Sequence, residues 1–142
     1  MAGKMIVGSI EVCDLPGLGI SQLAIRVDTG AKTSSLHVDN LEMFSRAGKP
    51  WVRFLIHPDV HNVDTTLACE CAVHDIRRIK SSNGESEQRY VIETPITMGS
   101  ESWPIEITLT DRSDMSYLML LGREGMGKRI LVDPSKTFLL NR

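Results

Sequence analysis

The 142-residue chain has no apolar run approaching the ~18 residues of a membrane-spanning helix, so no membrane partner is expected. Nor is one sign of charge in strong excess: 16 Lys and Arg stand against 18 Asp and Glu, a formal net charge of -2. Bulk electrostatics therefore give no reason to expect a nucleic-acid or membrane-surface protein, and any basic site must be local. Cysteine is scarce, and its odd count of three, with Cys69 and Cys71 close together, makes a poor disulfide framework; reduced thiols are expected. The opening Met-Ala-Gly-Lys-Met-Ile-Val-Gly lacks the apolar stretch of ~7–15 residues and the small-residue cleavage site of a secretory signal, which points to the cytoplasm. A Walker-type Gly-rich loop is missing, so any ATP dependence would belong to a partner, and so is the helical His-Glu-x-x-His zinc motif. What remains, 42% hydrophobic and 24% charged, suits one globular domain over residues 1–142 with a core large enough to fold without staples.

Short apolar runs alternate with turn signals along almost the whole chain, and no segment sustains a long helical stripe. The pattern predicts a mainly β protein. A first strand is expected over 5–12, a turn over 14–19 around Pro16, and a hairpin partner over 22–27. Extended chain follows over 34–44 and 51–57, and 66–80 reads as one long or bent strand. Asn83-Gly84 favours a tight hairpin turn into a strand over 87–97, and Gly99 turns the chain again into 103–110. Residues 117–121 form a continuous apolar strand of buried type, 123–128 a short helical turn, and 129–132 and 137–140 two terminal strands around Asp133-Pro134.

The stretch most informative about chemistry is Leu23-Ala24-Ile25-Arg26-Val27-Asp28-Thr29-Gly30-Ala31. A β-type run delivers an aspartate into a tight turn, where Gly30 can adopt backbone angles that other residues avoid, so a carboxylate is presented at a strand end beside accessible amides. About ninety residues later the apolar Leu118-Met119-Leu120-Leu121 ends in Gly122-Arg123.

Asp-Thr-Gly-Ala after an apolar strand, followed near the C-terminus by an apolar-apolar-Gly-Arg element, resembles the retroviral-type (retropepsin-like) aspartic proteases. More closely, several separated segments are similar to a bacterial family labelled "ATP-dependent zinc protease", associated with RimK-type ATP-grasp amino-acid ligases. They are Val27-Asp28-Thr29-Gly30-Ala31-Lys32-Thr33-Ser34-Ser35-Leu36-His37, Ser82-Asn83-Gly84 to Arg89, Trp103-Pro104-Ile105-Glu106-Ile107-Thr108-Leu109-Thr110, Met119-Leu120-Leu121-Gly122-Arg123, and Leu131-Val132-Asp133-Pro134. The resemblance implies an all-β, closed retropepsin-like barrel with one short C-terminal helix. It implies Asp28 as the catalytic carboxylate in the Asp28-Thr29-Gly30 turn, the Thr29 hydroxyl as a brace for the paired loop, and the Leu120-Leu121-Gly122 strand beneath the turn. Such a site needs two carboxylates sharing a proton, one activating water and the other protonating the substrate carbonyl. No second Asp-Thr/Ser-Gly occurs, since Asp111, Asp114 and Asp133 lie in other contexts. An active enzyme is therefore expected to be a homodimer in which each protomer contributes one Asp28.

Two further groups of residues bear on cofactor and substrate. His57, His61, Cys69, Cys71 and His74 gather common zinc ligands within eighteen residues, which keeps a zinc-dependent peptidase open as an alternative to a site without cofactor. Their spacing favours buried thiols and loop histidines: Pro58 separates the first two histidines, and His74 has the opposite strand parity to Cys69 and Cys71. His37, inside the family-like segment, is more in keeping with a structural or exposed role. Lys32, Arg77, Arg78, Lys80, Arg89 and Arg123 flank the family-like segments, and arginine binds carboxylates with two prongs. Because RimK-type ligases add acidic residues to protein tails, the resemblance implies a glutamate-rich peptide substrate, contacted by Ala31, Lys32, Arg89 and Arg123, and a functional link to such a ligase. A non-catalytic module holding an acidic tail is the remaining alternative. Two loops, 57–64 and the Asn83-Gly84 tip, are candidates for a flap that closes over substrate, and one extra hairpin is expected between Gly30 and the Leu-Leu-Gly-Arg element.

Overall fold

The structure, a computed structural model, describes residues 3–57, 66–80, 84–111 and 117–140. It is nearly all β. In chain order the strands are β1 (Met5–Val7), β2 (Ile10–Leu15), β3 (Ile20–Val27), β4 (Ser34–His37), β5 (Asp39–Arg46) and β6 (Lys49–Ile56). They continue as β7 (Leu67–Ala72), β8 (Asp75–Lys80), β9 (Ser86–Met98), β10 (Glu101–Thr110), β11 (Met119–Leu121) and β12 (Ile130–Val132). A 3-10 turn, Pro16–Leu18, joins β2 to β3, and one α-helix, α1 (Arg123–Met126), follows β11.

Six strands in the order β10-β4-β11-β3-β2-β9 close on themselves, because β9 and β10 also pair with each other. The β2 to β9 closure rests on the single register pair Asp14 with Thr97, whereas β9 and β10 pair antiparallel from Glu101 and Met98 to Thr108 and Val91. Closure leaves few free edges, and alternation carries one face of each strand inward. Leu23, Ile25, Leu36, Ile92, Ile107, Leu109, Met119 and Leu121 are fully or almost fully buried there. The inward positions of β3 change phase between Ile20 and Leu23, because Gln22 takes φ 59° and its amide donates to Asp14 Oδ1 at 2.8 Å. Strand β8 extends the barrel sheet by pairing with β9, β5-β6-β7 form a separate three-stranded sheet, and β1 pairs with β12 in parallel.

Four expectations need correction. Residues 5–12 are not one strand: β1 pairs with β12, while β2 begins at Ile10 and pairs with β3 in the barrel sheet. Residues 66–80 are not one strand: β7 belongs to the three-stranded sheet and β8 to the barrel sheet. The switch falls at Val73-His74, whose consecutive amides donate to Pro50 O at 3.0 Å and Val91 O at 2.7 Å in different sheets. Likewise 34–44 divides at Val38, buried between β4 in the barrel and β5 outside it. The segment 137–140 is no strand; it lies along β2, tied by the Phe138 amide to Ile10 O and by the Leu139 and Leu140 amides to the buried Glu11 carboxylate.

Candidate active site

Asp28 stands at the first residue past β3, on the rim of the barrel. Its place follows from strand pairing: Val27 is in register with Leu121, and the Asp28 amide donates to Leu121 O at 3.0 Å, so β11 lies directly beneath the turn. The chain then folds back tightly. The Gly30 amide donates to Asp28 Oδ1 at 2.9 Å and the Ala31 amide to Asp28 O at 3.2 Å, which holds the half-buried carboxylate against its own turn. Gly30 does not use the left-handed backbone region expected of it. Its requirement is space, because a Cβ there would lie 3.2 Å from Asp28 Oδ1.

Helix α1 packs on the same turn. Gly122 accommodates it: a Cβ there would meet Thr33 C and O at 2.6 Å. Gly125, one helical turn on, admits Ser34, whose Oγ accepts from the Gly122 amide at 3.0 Å. The Arg123 amide donates to Ala31 O at 2.8 Å and the Glu124 amide to Lys32 O at 3.1 Å. Arg123 Nη1 lies 3.3 Å from both Thr29 O and Gly30 O, so its guanidinium is directed at the turn's own backbone. Neither Ser34 nor this use of Arg123 was anticipated; the Gly122-x-x-Gly125 spacing is the sequence signal for so close an approach.

Beside the turn lies a cleft of about 590 Å³. Lys32 and Thr33 line one side; Arg77, Arg78 and Lys80 of β8 line the other, with Glu106 and Glu124 as its carboxylates. Four cations against two carboxylates make it basic. Lys32 Nζ is 3.8 Å from Glu124 Oε1, and Arg77 is held more firmly, by Asp75 Oδ2 at 2.7 Å and by both oxygens of Glu106 at 3.1 Å. The Arg77 hydrogen bond, with the Ile76 amide adding to it, keeps the Asp75 carboxyl below the usual carboxylate range. Arg89 is directly across from Arg77 in the β8-β9 pairing; its Nη2 is 3.6 Å from Glu87, and its buried Nε has no hydrogen-bond partner among the described residues. Thr29 and Lys32 are exposed and Ala31 is half-buried.

The zinc-ligand candidates are dispersed. His57 Nε2 is 3.2 Å from Asp39 Oδ2 and its Nδ1 3.3 Å from Thr66 Oγ1, while His37 approaches the other Asp39 oxygen at 3.5 Å. His74 pairs with Glu106 at 2.9 Å. Cys69 is buried, its Sγ 3.5 Å from Leu18 O, and burial together with Cys69 pushes the Cys71 thiol up to about 12. These residues do not converge as a ligand set; among the described residues no group of three or more His, Cys, Asp or Glu could hold a metal ion. His61 lies outside the described residues, as do most of 57–64 and Asn83.

Comparison with known proteins adds to this geometry. A family model described as RimB-like, "Retropepsin-like aspartic endopeptidase RimB", matches residues 6–142. Two proteins named "Probable alpha-L-glutamate ligase" are similar to the chain. One, from Shewanella pealeana, is 52% identical over 137 residues, 96% of this chain and 30% of that protein. The other, from Shewanella halifaxensis, is 50% identical over 139 residues, 98% of this chain and 30% of that protein. The chain thus spans about 30% of the length of these relatives. The crystal structure of protein Lpg0085 from Legionella pneumophila, titled as having unknown function, superposes with a TM-score of 0.79 at 28% identity, covering 98% of this chain and 100% of that one. Among the described residues, no helix is long and apolar enough to cross a membrane.

Proposed function

The chain belongs to the RimB-like family of retropepsin-like aspartic endopeptidases, and from that premise we propose that it is an aspartic-type peptidase whose active centre is made by Asp28 from two protomers. The observation that carries this reading is the Asp28-Thr29-Gly30 turn, held on a closed barrel by β11 below and α1 behind. Two such carboxylates facing one another share a proton, because both cannot ionise at close range. The ionised one withdraws a proton from water as it attacks the peptide carbonyl, and the protonated one donates to the carbonyl oxygen. Thr29, exposed in this turn, would brace the partner's loop in such a dimer.

The substrate class proposed is an acidic, glutamate-rich peptide or protein tail. Lys32, Arg77, Arg78 and Lys80 support it by making basic the cleft that adjoins the Asp28 turn at Lys32 and Thr33, and Arg89 supplies a further guanidinium on the same hairpin. The ligase names of the relatives support a functional link to a RimK-type glutamate ligase, which would supply such tails. The same ligase names favour a second reading, in which the domain holds an acidic tail without cutting it.

The deciding experiment incubates the purified protein with glutamate-rich and neutral peptides from acid to neutral pH. Cleavage of acidic peptides that is abolished by Asp28→Asn supports the peptidase. Cleavage that survives Asp28→Asn refutes the aspartic mechanism, and binding without cleavage at any pH establishes the holding module instead.

A further inference from the structure

The geometry points to Arg123 as a positioning residue that sets the orientation of the Asp28 carboxylate through two peptide planes, rather than as a ligand for substrate. The inference rests on the aspartic-peptidase reading for its kinetic consequence, though its structural content stands apart from it. A trans peptide is rigid, so the carbonyl of one residue and the amide of the next turn together. In the first plane, Thr29 O accepts from Arg123 Nη1 at 3.3 Å while the Gly30 amide at the other end donates to Asp28 Oδ1 at 2.9 Å. In the second, Gly30 O accepts from the same Nη1 at 3.3 Å while the Ala31 amide donates to Asp28 O at 3.2 Å. Each plane therefore has one end on Arg123 and the other on Asp28, one reaching its side chain and the other its main chain.

The anchor behind the guanidinium is firm. Arg123 and Glu124 donate their own amides to Ala31 O and Lys32 O, so the four consecutive carbonyls of residues 29–32 all accept from these two residues. Gly122 admits no side chain between α1 and the turn. With the guanidinium removed, the Ala31 and Lys32 carbonyls keep their donors, while the two planes that end on Asp28 lose theirs and can rock. Catalysis that depends on a carboxylate placed to a fraction of an ångström loses rate under such motion, and displacement of about 1 Å costs about 100-fold. Substrate affinity, set by the cleft, is left largely intact.

The test compares wild type with Arg123→Ala and Arg123→Lys on an acidic and a neutral peptide, with amide hydrogen exchange and thermal unfolding on each protein. Arg123→Ala is expected to lower kcat about 10- to 100-fold on both peptides with KM within about twofold. Because Arg123 is exposed, added guanidinium ion at non-denaturing concentration should restore part of kcat in Arg123→Ala. Arg123→Lys, one bond shorter, retains charge and should be intermediate. Exchange at the Gly30 and Ala31 amides should quicken in Arg123→Ala beyond any global loss of stability. A rise in KM confined to the acidic peptide, with kcat unchanged, would make Arg123 a substrate ligand and overturn the inference. Unchanged exchange at Gly30 and Ala31 would overturn it as well. If wild type cuts no peptide, or Asp28→Asn still cuts, the peptidase reading falls, and the exchange comparison still decides whether Arg123 holds the turn.

Discussion

Replacing Glu11 by alanine should destabilise the fold by about 2–5 kcal/mol, a large effect for a single substitution. Glu11 occupies an inward position of β2 and is fully buried. Its Oε2 accepts from the Gly8 amide at 2.7 Å and the Leu139 amide at 2.8 Å, and its Oε1 from the Leu140 amide at 3.3 Å. Removing the carboxylate orphans three donors, each costing about 1–3 kcal/mol if it stays buried. The Gly8 amide has no escape, since Gly8 is pressed against Lys136 so closely that a Cβ would sit 2.4 Å from Lys136 O. The tail amides can reach water by detaching, so their share is limited to the docking they lose, about 1–2 kcal/mol. With an unfolding entropy of about 2.1 cal/mol/K per residue, 142 residues translate the total into a Tm lowered by about 7–17 °C. Glu11→Gln keeps one acceptor for the two shorter contacts and turns its amide group toward Leu140, so its cost should be about 1–2 kcal/mol. Thermal and urea unfolding monitored by circular dichroism measure both variants, and hydrogen exchange at Gly8, Leu139 and Leu140 locates the change. An alanine variant within about 1 kcal/mol of wild type, with those amides as protected as before, would refute the reasoning.

Gly122→Ala brings a Cβ to 2.6 Å from Thr33 backbone atoms that cannot move aside singly, so a loss of about 1–3 kcal/mol or more is expected, and wild-type stability would contradict it. Burial, together with Asp14 for Cys13 and Cys69 for Cys71, pushes both thiols up to about 12, so alkylation of the native protein at pH 8 should be far slower than in urea; rapid native labelling of Cys71 would show the site to be open. The Asp75 carboxyl titrates below its unfolded value, so the Asp75-Arg77 pair contributes fully above the unfolded pKa of about 3.9 and its contribution is lost as pH falls through the lower folded value. Asp75→Asn should therefore remove this part of the acid-end fall and lower stability by a small constant amount across pH 5–8 without changing the slope there, and a changed slope at neutral pH in urea titrations would count against this.

Much of the barrel was legible because alternation in the first and last thirds of the chain is strong and turn residues punctuate it. The 119–121 strand was read instead from its continuous apolar run, and its place beneath the Asp28 turn, implied by the family resemblance, agrees with the contact through Leu121 O. The middle third was read less well. Periodicity reports that 66–80 is extended but carries no information about which sheet each half joins, a choice made by the Val73 and His74 amides. Arg123 was expected at substrate because an arginine beside a catalytic motif has the chemistry to bind carboxylate; its chain neighbours say nothing of the carbonyls that folding brings to it. Arg77 and Lys32, forty-five positions apart, share a cleft only because β8 pairs with β9 and β9 with β10.

The sequence by itself determined a β-rich domain with a single Asp-Thr-Gly in its 142 residues, and with it the expectation that a two-carboxylate site would draw on a second copy. Those are local properties, set by residue type and spacing of two. Only the tertiary structure decided what packs on the Asp28 turn and what shares a cleft with Lys32: α1 behind the turn, the basic β8 in the cleft, and His57, Cys69 and His74 each with contacts of their own. Strand pairing between distant segments makes those choices, through backbone hydrogen bonds that no side-chain pattern encodes.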